Sequence, residues 1–88
     1  MNAVLVISER DNVATALESI DRGREVRVGA AIVVAAEAIP RGHKLAVRAI
    51  RAGEAVVKYG SPIGTASADI AVGAHVHTHN VASSRGRG

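Results

Sequence analysis

The chain has 88 residues, a formal net charge of +3 and an apolar fraction of 48% that is almost entirely Val, Ala, Ile and Leu. This length allows one small domain and excludes two independent hydrophobic cores. No cysteine is present, which excludes disulfides and thiolate metal sites, and no apolar run approaches the length of a membrane span. Tyr59 is the only Phe, Tyr or Trp residue, so the chain cannot form an aromatic stacking platform for nucleic acid. The net positive charge alone therefore does not indicate nucleic-acid binding.

The N-terminal part predicts one strand and one short helix. Residues 4–7 form an apolar run that fits a buried first strand. This run is too short for a signal sequence and follows no basic residues, so we expect a cytoplasmic protein. A helix is predicted over residues 11–19, because Val13, Ala14 and Leu17 would share one apolar stripe with Ile20. Asp11 is its candidate N-terminal cap.

A glycine-containing motif recurs four times along the chain. In each copy an isoleucine is followed three residues later by a glycine, and after three more by an aliphatic residue. The copies begin at Ile20, Ile39, Ile50 and Ile70. A glycine at this position supplies a positive φ in a turn, so each copy predicts a corner that leads into a new strand. The spacing of the copies is unequal, which excludes a solenoid.

The rest of the chain predicts short strands. They fall at residues 25–28 and 31–35, which meet at a Gly29-Ala30 turn, then at 45–49, 55–59, part of 63–68, and 75–79. The β-branched aliphatic composition favours the same conclusion, a compact, mostly β domain over residues 1–82. Residues 83–88 are glycine-rich and basic, and we expect a flexible tail there.

Three of the four histidines alternate with other residues near the C-terminus, in the sequence His75-Val76-His77-Thr78-His79-Asn80. On a strand, such alternation places all three imidazoles on one face, where they suggest metal or acid–base chemistry. On a straight strand, however, the first and third would be about 13 Å apart at Cα. Only two neighbours could then share an ion, and other ligands would be needed. The alternatives without a functional role are a solvated strand or a hydrogen-bonded histidine cluster.

The only two lysines lie in two other segments of interest. Lys44 follows His43 in the second corner, and two basic groups beside a flexible backbone could bind a carboxylate or phosphate. Lys58 ends a strand before a glycine-rich loop that also contains Tyr59. Taken alone, the first segment is better explained as a polar turn. The alternative for the second is a turn whose tyrosine caps the core. No nucleophile elbow or phosphate-binding loop is present, so the chain resembles part of an active site.

Four motifs in order carry a family resemblance over residues 4–80. They are Asp11-Asn12-Val13-Ala14, Gly42-His43-Lys44, Val57-Lys58-Tyr59-Gly60 with its Pro62-Ile63-Gly64 extension, and the segment from Asp69 to Asn80 that contains the histidine row. The chain resembles the SAF (β-clip) domain of altronate and galactarate dehydratases. The resemblance implies a β-clip fold and, at this length, a separate small subunit that is inactive without a large catalytic subunit.

The resemblance also implies a lyase that uses a divalent metal, Fe²⁺ first, with Mn²⁺ or Mg²⁺ as alternatives. A sugar acid would lose water across C2–C3 to give a 2-keto-3-deoxy product. On this basis we assign His75 and His77 to the metal. His77, His79 and His43 are assigned to catalysis. Lys44, Lys58 and Asn80 are assigned to substrate binding.

Two alternatives to the dehydratase remain open. The related sulfolactate sulfo-lyase also has a small subunit of this kind, and sulfite would leave instead of water. A non-catalytic SAF module would bind a sugar acid or a partner without needing histidines or metal. In each case we expect no nucleic acid and no membrane among the partners, and self-association into a homo-oligomer is compatible with all three.

Overall fold

A computed structural model describes residues 3–6 and 8–82, and within these ranges every regular element is a strand. The strands are β1 (Val4–Leu5), β2 (Val13–Ala16), β3 (Glu25–Val28), β4 (Ala31–Val34), β5 (Lys44–Ala46), β6 (Ala55–Lys58), β7 (Ser61–Ala66), β8 (His75–Val76) and β9 (Val81–Ala82). The predicted mostly β fold is confirmed. Because the described ranges contain no helix, they contain none that could cross a membrane.

All strand pairs are antiparallel, and they form three small sheets. The largest has the order β1-β2-β5-β8, with β3-β4 as a separate two-stranded ribbon and β6-β7-β9 as a three-stranded sheet. Leu45 and Ala46 are neighbours on β5 and lie in different hydrophobic clusters. Since consecutive side chains of a strand point to opposite faces, the central sheet is buried on both sides.

The four predicted corners are present, and they form two pairs that are joined by isolated β-bridges. Ile20 bridges Ile39, and Ile50 bridges Ile70, each through two reciprocal backbone hydrogen bonds. The glycines of the four corners have φ between 85° and 89°; they are Gly23, Gly42, Gly53 and Gly73. Each corner is closed by a backbone bond from the residue after the glycine to the carbonyl three positions earlier, and such turns need a positive φ at the third residue.

The predicted helix over residues 11–19 is wrong, because strand β2 occupies the middle of this segment. Val13 and Ala14 are both 1% exposed and lie in different hydrophobic clusters, an arrangement that requires the two-sided alternation of a strand. Leu17, which the helix would have buried, is 47% exposed. Asp11 caps no helix; its carboxylate accepts hydrogen bonds from the backbone N–H groups of Ser8 and Gly60.

The predicted histidine strand is also shorter than expected. β8 ends at Val76, and residues 77–80 form a turn in which the backbone N–H of Asn80 donates to the carbonyl of His77. The turn leads directly into β9. The first strand is confirmed for Val4–Leu5, whereas Ile7 and the predicted tail at 83–88 lie outside the described residues.

Candidate functional site

Two segments that are distant in sequence bring the histidines together. His43 lies in the second corner, immediately before β5, and His75 begins β8. β5 pairs with β8 so that Leu45 faces His75 and Lys44 faces Val76. Neighbouring strands lie about 4.8 Å apart, which places the residues flanking this short ladder within side-chain reach of one another.

The imidazole rings of His43, His75 and His77 form a stack. The ring centroids of His43 and His77 are 3.8 Å apart, those of His43 and His75 are 4.9 Å apart, and those of His75 and His77 are 5.6 Å apart. Nδ1 of His43 lies 2.7 Å from Nε2 of His75, so one of these two nitrogens carries the shared hydrogen. The ring of His43 therefore contacts both of the histidines that the sequence assigned to a metal.

These three histidines fit a metal site. One ring nitrogen from each lies within 4.8 Å of the others, and all three residues are half-buried. Two nitrogens bound at about 2.1 Å in a tetrahedral site are roughly 3.4 Å apart. To share one ion, the three donors have to draw closer together, and the stacked rings have to turn so that their in-plane lone pairs point at it. Neutral imidazole is a common ligand of first-row transition metals. We call His43, His75 and His77 the three-histidine cluster.

His79 lies beside this cluster, outside the group of three ligand nitrogens. Its ring centroid is 5.1 Å from that of His75, with the two planes tilted by 38°. The expectation that these two residues lie far apart on a straight strand was wrong, because the turn at 77–80 folds the chain back. His79 is exposed, which leaves it accessible to solvent or to a bound molecule.

The surroundings of His75 and His77 favour the neutral forms of these two imidazoles. Burial lowers the pKa of His75, the positive charges of His43, His79 and His77 lower it further, and the carboxylate of Glu37 opposes them. Desolvation, then the charges of His43, Lys44 and His79, lower the pKa of His77. Neutral rings keep a lone pair on one nitrogen, and this is the form that binds metals.

The two lysines flank the same region. Lys44 begins β5 and is half-buried, and its pKa is lowered by burial and by the charge of Lys58. Lys58 ends β6, with its Nζ atom 4.8 Å from the centre of the Tyr59 ring. An open cleft of about 220 Å³ lies beside Lys44; it is lined by Lys44, Ile63, Val76, His77, Thr78 and Val81. The cleft thus joins one lysine to the three-histidine cluster.

The side chains of Asn80 and Glu37 form hydrogen bonds with the backbone of the cluster histidines. Oδ1 of Asn80 accepts from the backbone N–H of His77 at 2.9 Å, and Nδ2 donates to the carbonyl of His75 at 2.9 Å. These bonds fix the turn that follows β8; a contact of Asn80 with substrate stays a prediction. Glu37 was missed in the sequence; its carboxylate accepts from the backbone N–H of His75 at 3.1 Å. No sequence signal could find it, because it lies 38 positions away.

A larger cavity of about 480 Å³ lies elsewhere, between the segment that follows β1 and the β3–β4 ribbon. Its lining residues are Val6, Ser8, Glu9, Asp11, Val28, Gly29, Ala31, Val33, Val47 and Arg48. None of these is a histidine or a lysine. The smaller cleft, which combines imidazoles with an ammonium group, is therefore the better candidate for chemistry.

Comparisons with known proteins agree with the sequence motifs. The altronate/galactarate dehydratase SAF domain matches residues 2–84. The altronate dehydratase of Bacillus subtilis (strain 168) is 40% identical over 80 residues, which are 91% of this chain and 16% of that protein. The altronate dehydratase of Escherichia coli (strain K12) is 51% identical over 70 residues, 80% of this chain and 14% of that protein. The chain thus spans less than one fifth of the length of either dehydratase.

A second kind of relative is closer in size. The (2R)-sulfolactate sulfo-lyase subunit alpha of Paracoccus pantotrophus is 51% identical over 47 residues, which are 53% of this chain and 70% of that protein. The subunit alpha of Chromohalobacter salexigens is 49% identical over 49 residues, 56% of this chain and 52% of that protein. Both kinds of relative are thus homologous to this chain.

Proposed function

The chain belongs to the altronate/galactarate dehydratase SAF domain family, and we propose that it is the small subunit of a metal-dependent sugar-acid dehydratase. The enzyme acts in the cytoplasm and removes water across C2–C3 of a hexonate or hexarate. The family membership and the altronate dehydratase relatives support this assignment. Because the chain spans less than one fifth of those dehydratases, the rest of the active site lies outside this sequence, and the proposal assigns it to a large catalytic subunit.

The observation that carries this proposal is the three-histidine cluster. Ring nitrogens of His43, His75 and His77 lie within 4.8 Å of one another on the surface that also bears Lys44. Imidazole nitrogen binds several first-row ions and does not by itself select one. The family membership makes Fe²⁺ our first choice, with Mn²⁺ or Mg²⁺ as alternatives. We assign His43 to the metal together with His75 and His77. When bound, the ion would supply Lewis-acid stabilisation of negative charge that develops on substrate oxygen.

In this proposal His79 takes part in proton transfer, and Lys44 and Lys58 bind the substrate. Loss of water requires a base to take the proton α to the carboxylate and an acid to give a proton to the departing hydroxyl. His79 is exposed beside the cluster and can exchange protons with a bound molecule. Lys44 and Lys58 repel one another, and a substrate carboxylate would relieve this repulsion by forming charge-assisted hydrogen bonds.

The sulfo-lyase is the second candidate, and the match to its subunit alpha supports it. The match covers 70% of the Paracoccus protein, so a separate chain of comparable size exists among the relatives. The first half of the reaction would be the same, and sulfite would leave in place of hydroxide. A non-catalytic SAF module is the third candidate, and it needs neither metal nor histidines for its binding.

A reconstitution experiment separates the three candidates. The chain is co-expressed with its large subunit, purified with Fe²⁺, and assayed against altronate, galactarate and sulfolactate. We expect a 2-keto-3-deoxy acid from one of the sugar acids, and a loss of turnover of at least about 100-fold for His77→Ala. Sulfite release would establish the sulfo-lyase instead. Partner binding without turnover of any substrate, or full activity of the His77→Ala enzyme, would contradict the lyase proposal.

A further inference from the structure

Asp11 and Asn12 connect the sheet that carries Lys44 to the hairpin that carries Lys58. They precede β2, which pairs with β5, and their side chains reach across to residues 55–60. Asp11 is 2% exposed and is the one charged side chain that is buried in the described part of the chain. Neither residue takes part in the histidine cluster or the cleft.

Asn12 acts as a strand partner for β6 with both its side chain and its backbone. Its Oδ1 accepts from the backbone N–H of Val57 at 2.7 Å, and its Nδ2 donates to the carbonyl of Ala55 at 2.9 Å. Its backbone N–H donates to the carbonyl of Val57 at 3.2 Å, and its carbonyl accepts from the N–H of Val47 just beyond β5. Asn12 therefore joins β6 to the end of β5.

Pro62 explains why Val57 is free to bond to Asn12. Val57 is opposite Pro62 in the β6–β7 ladder, and the register shifts between Val56 and Val57. Proline has no backbone N–H and cannot donate to the strand beside it, and a bulge releases further ladder bonds. At this irregularity Asn12 bonds to both the N–H and the carbonyl of Val57.

Asp11 bonds to the backbone on the C-terminal side of Lys58. Its Oδ1 accepts from the backbone N–H of Gly60 at 2.8 Å, at the tip of the hairpin. Tyr59 has a φ of 57°, a left-handed conformation that is strained for a bulky residue and needs external support. Lys58 is thus placed between two anchored positions, Val57 and Gly60.

We propose that Asp11 and Asn12 form a clamp that positions Lys58 beside the Lys44 cleft for binding of the substrate carboxylate. Ile63, on the strand that pairs with β6, lines this cleft together with Lys44, so the anchored hairpin forms one wall of the site. The inference rests on the proposed function, in which the lysines bind the carboxylate. Both clamp residues are positioning residues, because they act through Lys58.

The test compares kinetic constants of the assembled enzyme. Asn12→Ala removes two hydrogen bonds to β6, and Asp11→Asn disturbs the bond to Gly60. We expect either change to raise KM about 5–10-fold with kcat within about twofold, a factor that corresponds to the net contribution of one or two hydrogen bonds. Val26→Ala is the matched control, because it removes buried volume from the β3–β4 ribbon and leaves the clamp intact. An equal rise in KM for Val26→Ala would overturn the proposal.

A double-mutant cycle shows whether the clamp acts through Lys58. In a Lys58→Ala background, Asn12→Ala should raise KM by less than about twofold, because coupled residues are not additive. The same several-fold rise in both backgrounds would overturn the clamp. If Lys58→Ala alone leaves KM unchanged, the assignment of Lys58 to the substrate fails, and with it this use of the clamp.

Nuclear magnetic resonance of the full 88-residue chain tests the geometry without activity. The ring of Tyr59 should shift the ε-methylene resonance of Lys58 upfield, because the ammonium lies 4.8 Å from the ring centre. Asn12→Ala should reduce this shift, and Val26→Ala should leave it unchanged. An unchanged Lys58 resonance in Asn12→Ala would show that Lys58 keeps its position without the clamp.

Discussion

Nδ1 of His43 lies 2.7 Å from Nε2 of His75, although the two residues are 32 positions apart. Two imidazole nitrogens this close must share one hydrogen, so one ring donates and the other accepts. A metal ion replaces this hydrogen when both nitrogens bind it as lone-pair donors. The contact joins the second glycine corner to β8, and it makes His43 part of a site that the histidine row alone could not complete.

Asn80→Ala should weaken metal binding without removing any ligand. The amide of Asn80 bonds to the backbone of both His75 and His77, and its loss would release the turn that places the second of these rings over His43. Outer partners of ligands typically contribute 10–100-fold in affinity, and we expect a loss in this range. Calorimetric titration with Zn²⁺ measures it.

Asn80→Asp is the matched control for that experiment. Aspartate keeps an acceptor for the N–H of His77 and loses the donor to the carbonyl of His75, so an intermediate loss is expected. Wild-type affinity in Asn80→Ala would show that the turn holds its shape through backbone bonds alone.

Gly73→Ala should destabilise the domain far more than Gly53→Ala. Both glycines have similar positive φ values, 86° and 89°, so the backbone strain is shared and costs about 1–2 kcal/mol. A Cβ at Gly73 would collide with the carbonyl oxygen of Val34, whereas one at Gly53 would meet nothing within 4 Å. We expect an additional loss of about 1–3 kcal/mol for Gly73→Ala, measured by urea unfolding. Equal stability of the two variants would contradict the close packing of β4 against the fourth corner.

The metal-free domain should lose stability as the pH falls below 6.5. The pKa values of His75 and His77 are lower in the folded chain than the ordinary 6.5, so the unfolded chain binds more protons in that range. Stability from these residues is therefore fully present above pH 6.5 and is lost as the pH falls through their lowered pKa values. Thermal unfolding between pH 7.5 and 5.5 in the presence of a chelator should show a falling Tm.

A double variant isolates the contribution of these two histidines to the pH dependence. His75→Asn combined with His77→Asn removes both titrating groups and keeps polar side chains of similar size. Its Tm should fall less over the same range. Parallel slopes for wild type and variant would contradict the assignment of the acid sensitivity to His75 and His77.

Much of the fold could be predicted from local patterns. The four isoleucine–glycine corners were predicted because a positive φ is a property of single residues, and the structure has each glycine in that conformation. The β3–β4 hairpin was predicted for a similar reason, since Gly29 marks its turn. The predicted helix at 11–19 was wrong because the apolar residues of a short segment such as Val13–Ala16 are compatible with both the helical and the strand period. Burial of this segment on two faces is possible only as a strand.

The candidate site was predicted only in part. The sequence identified all four histidines and both lysines but could not show which of them meet. His43 joins the cluster through the β5–β8 pairing, and Glu37 reaches His75 through a loop contact, neither of which leaves a local signal. The turn at 77–80 was missed because alternation of histidines favours a strand, whereas the Asn80 side chain closes a turn instead.

Metal titration of the full chain tests the three-histidine cluster most directly. Metal-free protein is titrated with Co²⁺ and Zn²⁺ by calorimetry and visible absorption, for wild type, His43→Ala, His75→Ala, His77→Ala and the control His79→Ala. We predict one tightly bound ion per chain, a loss of at least about tenfold in affinity for each cluster variant, and a change within about threefold for His79→Ala. Wild-type protein that binds no ion, or a control that weakens binding as much as the cluster variants, would contradict the site.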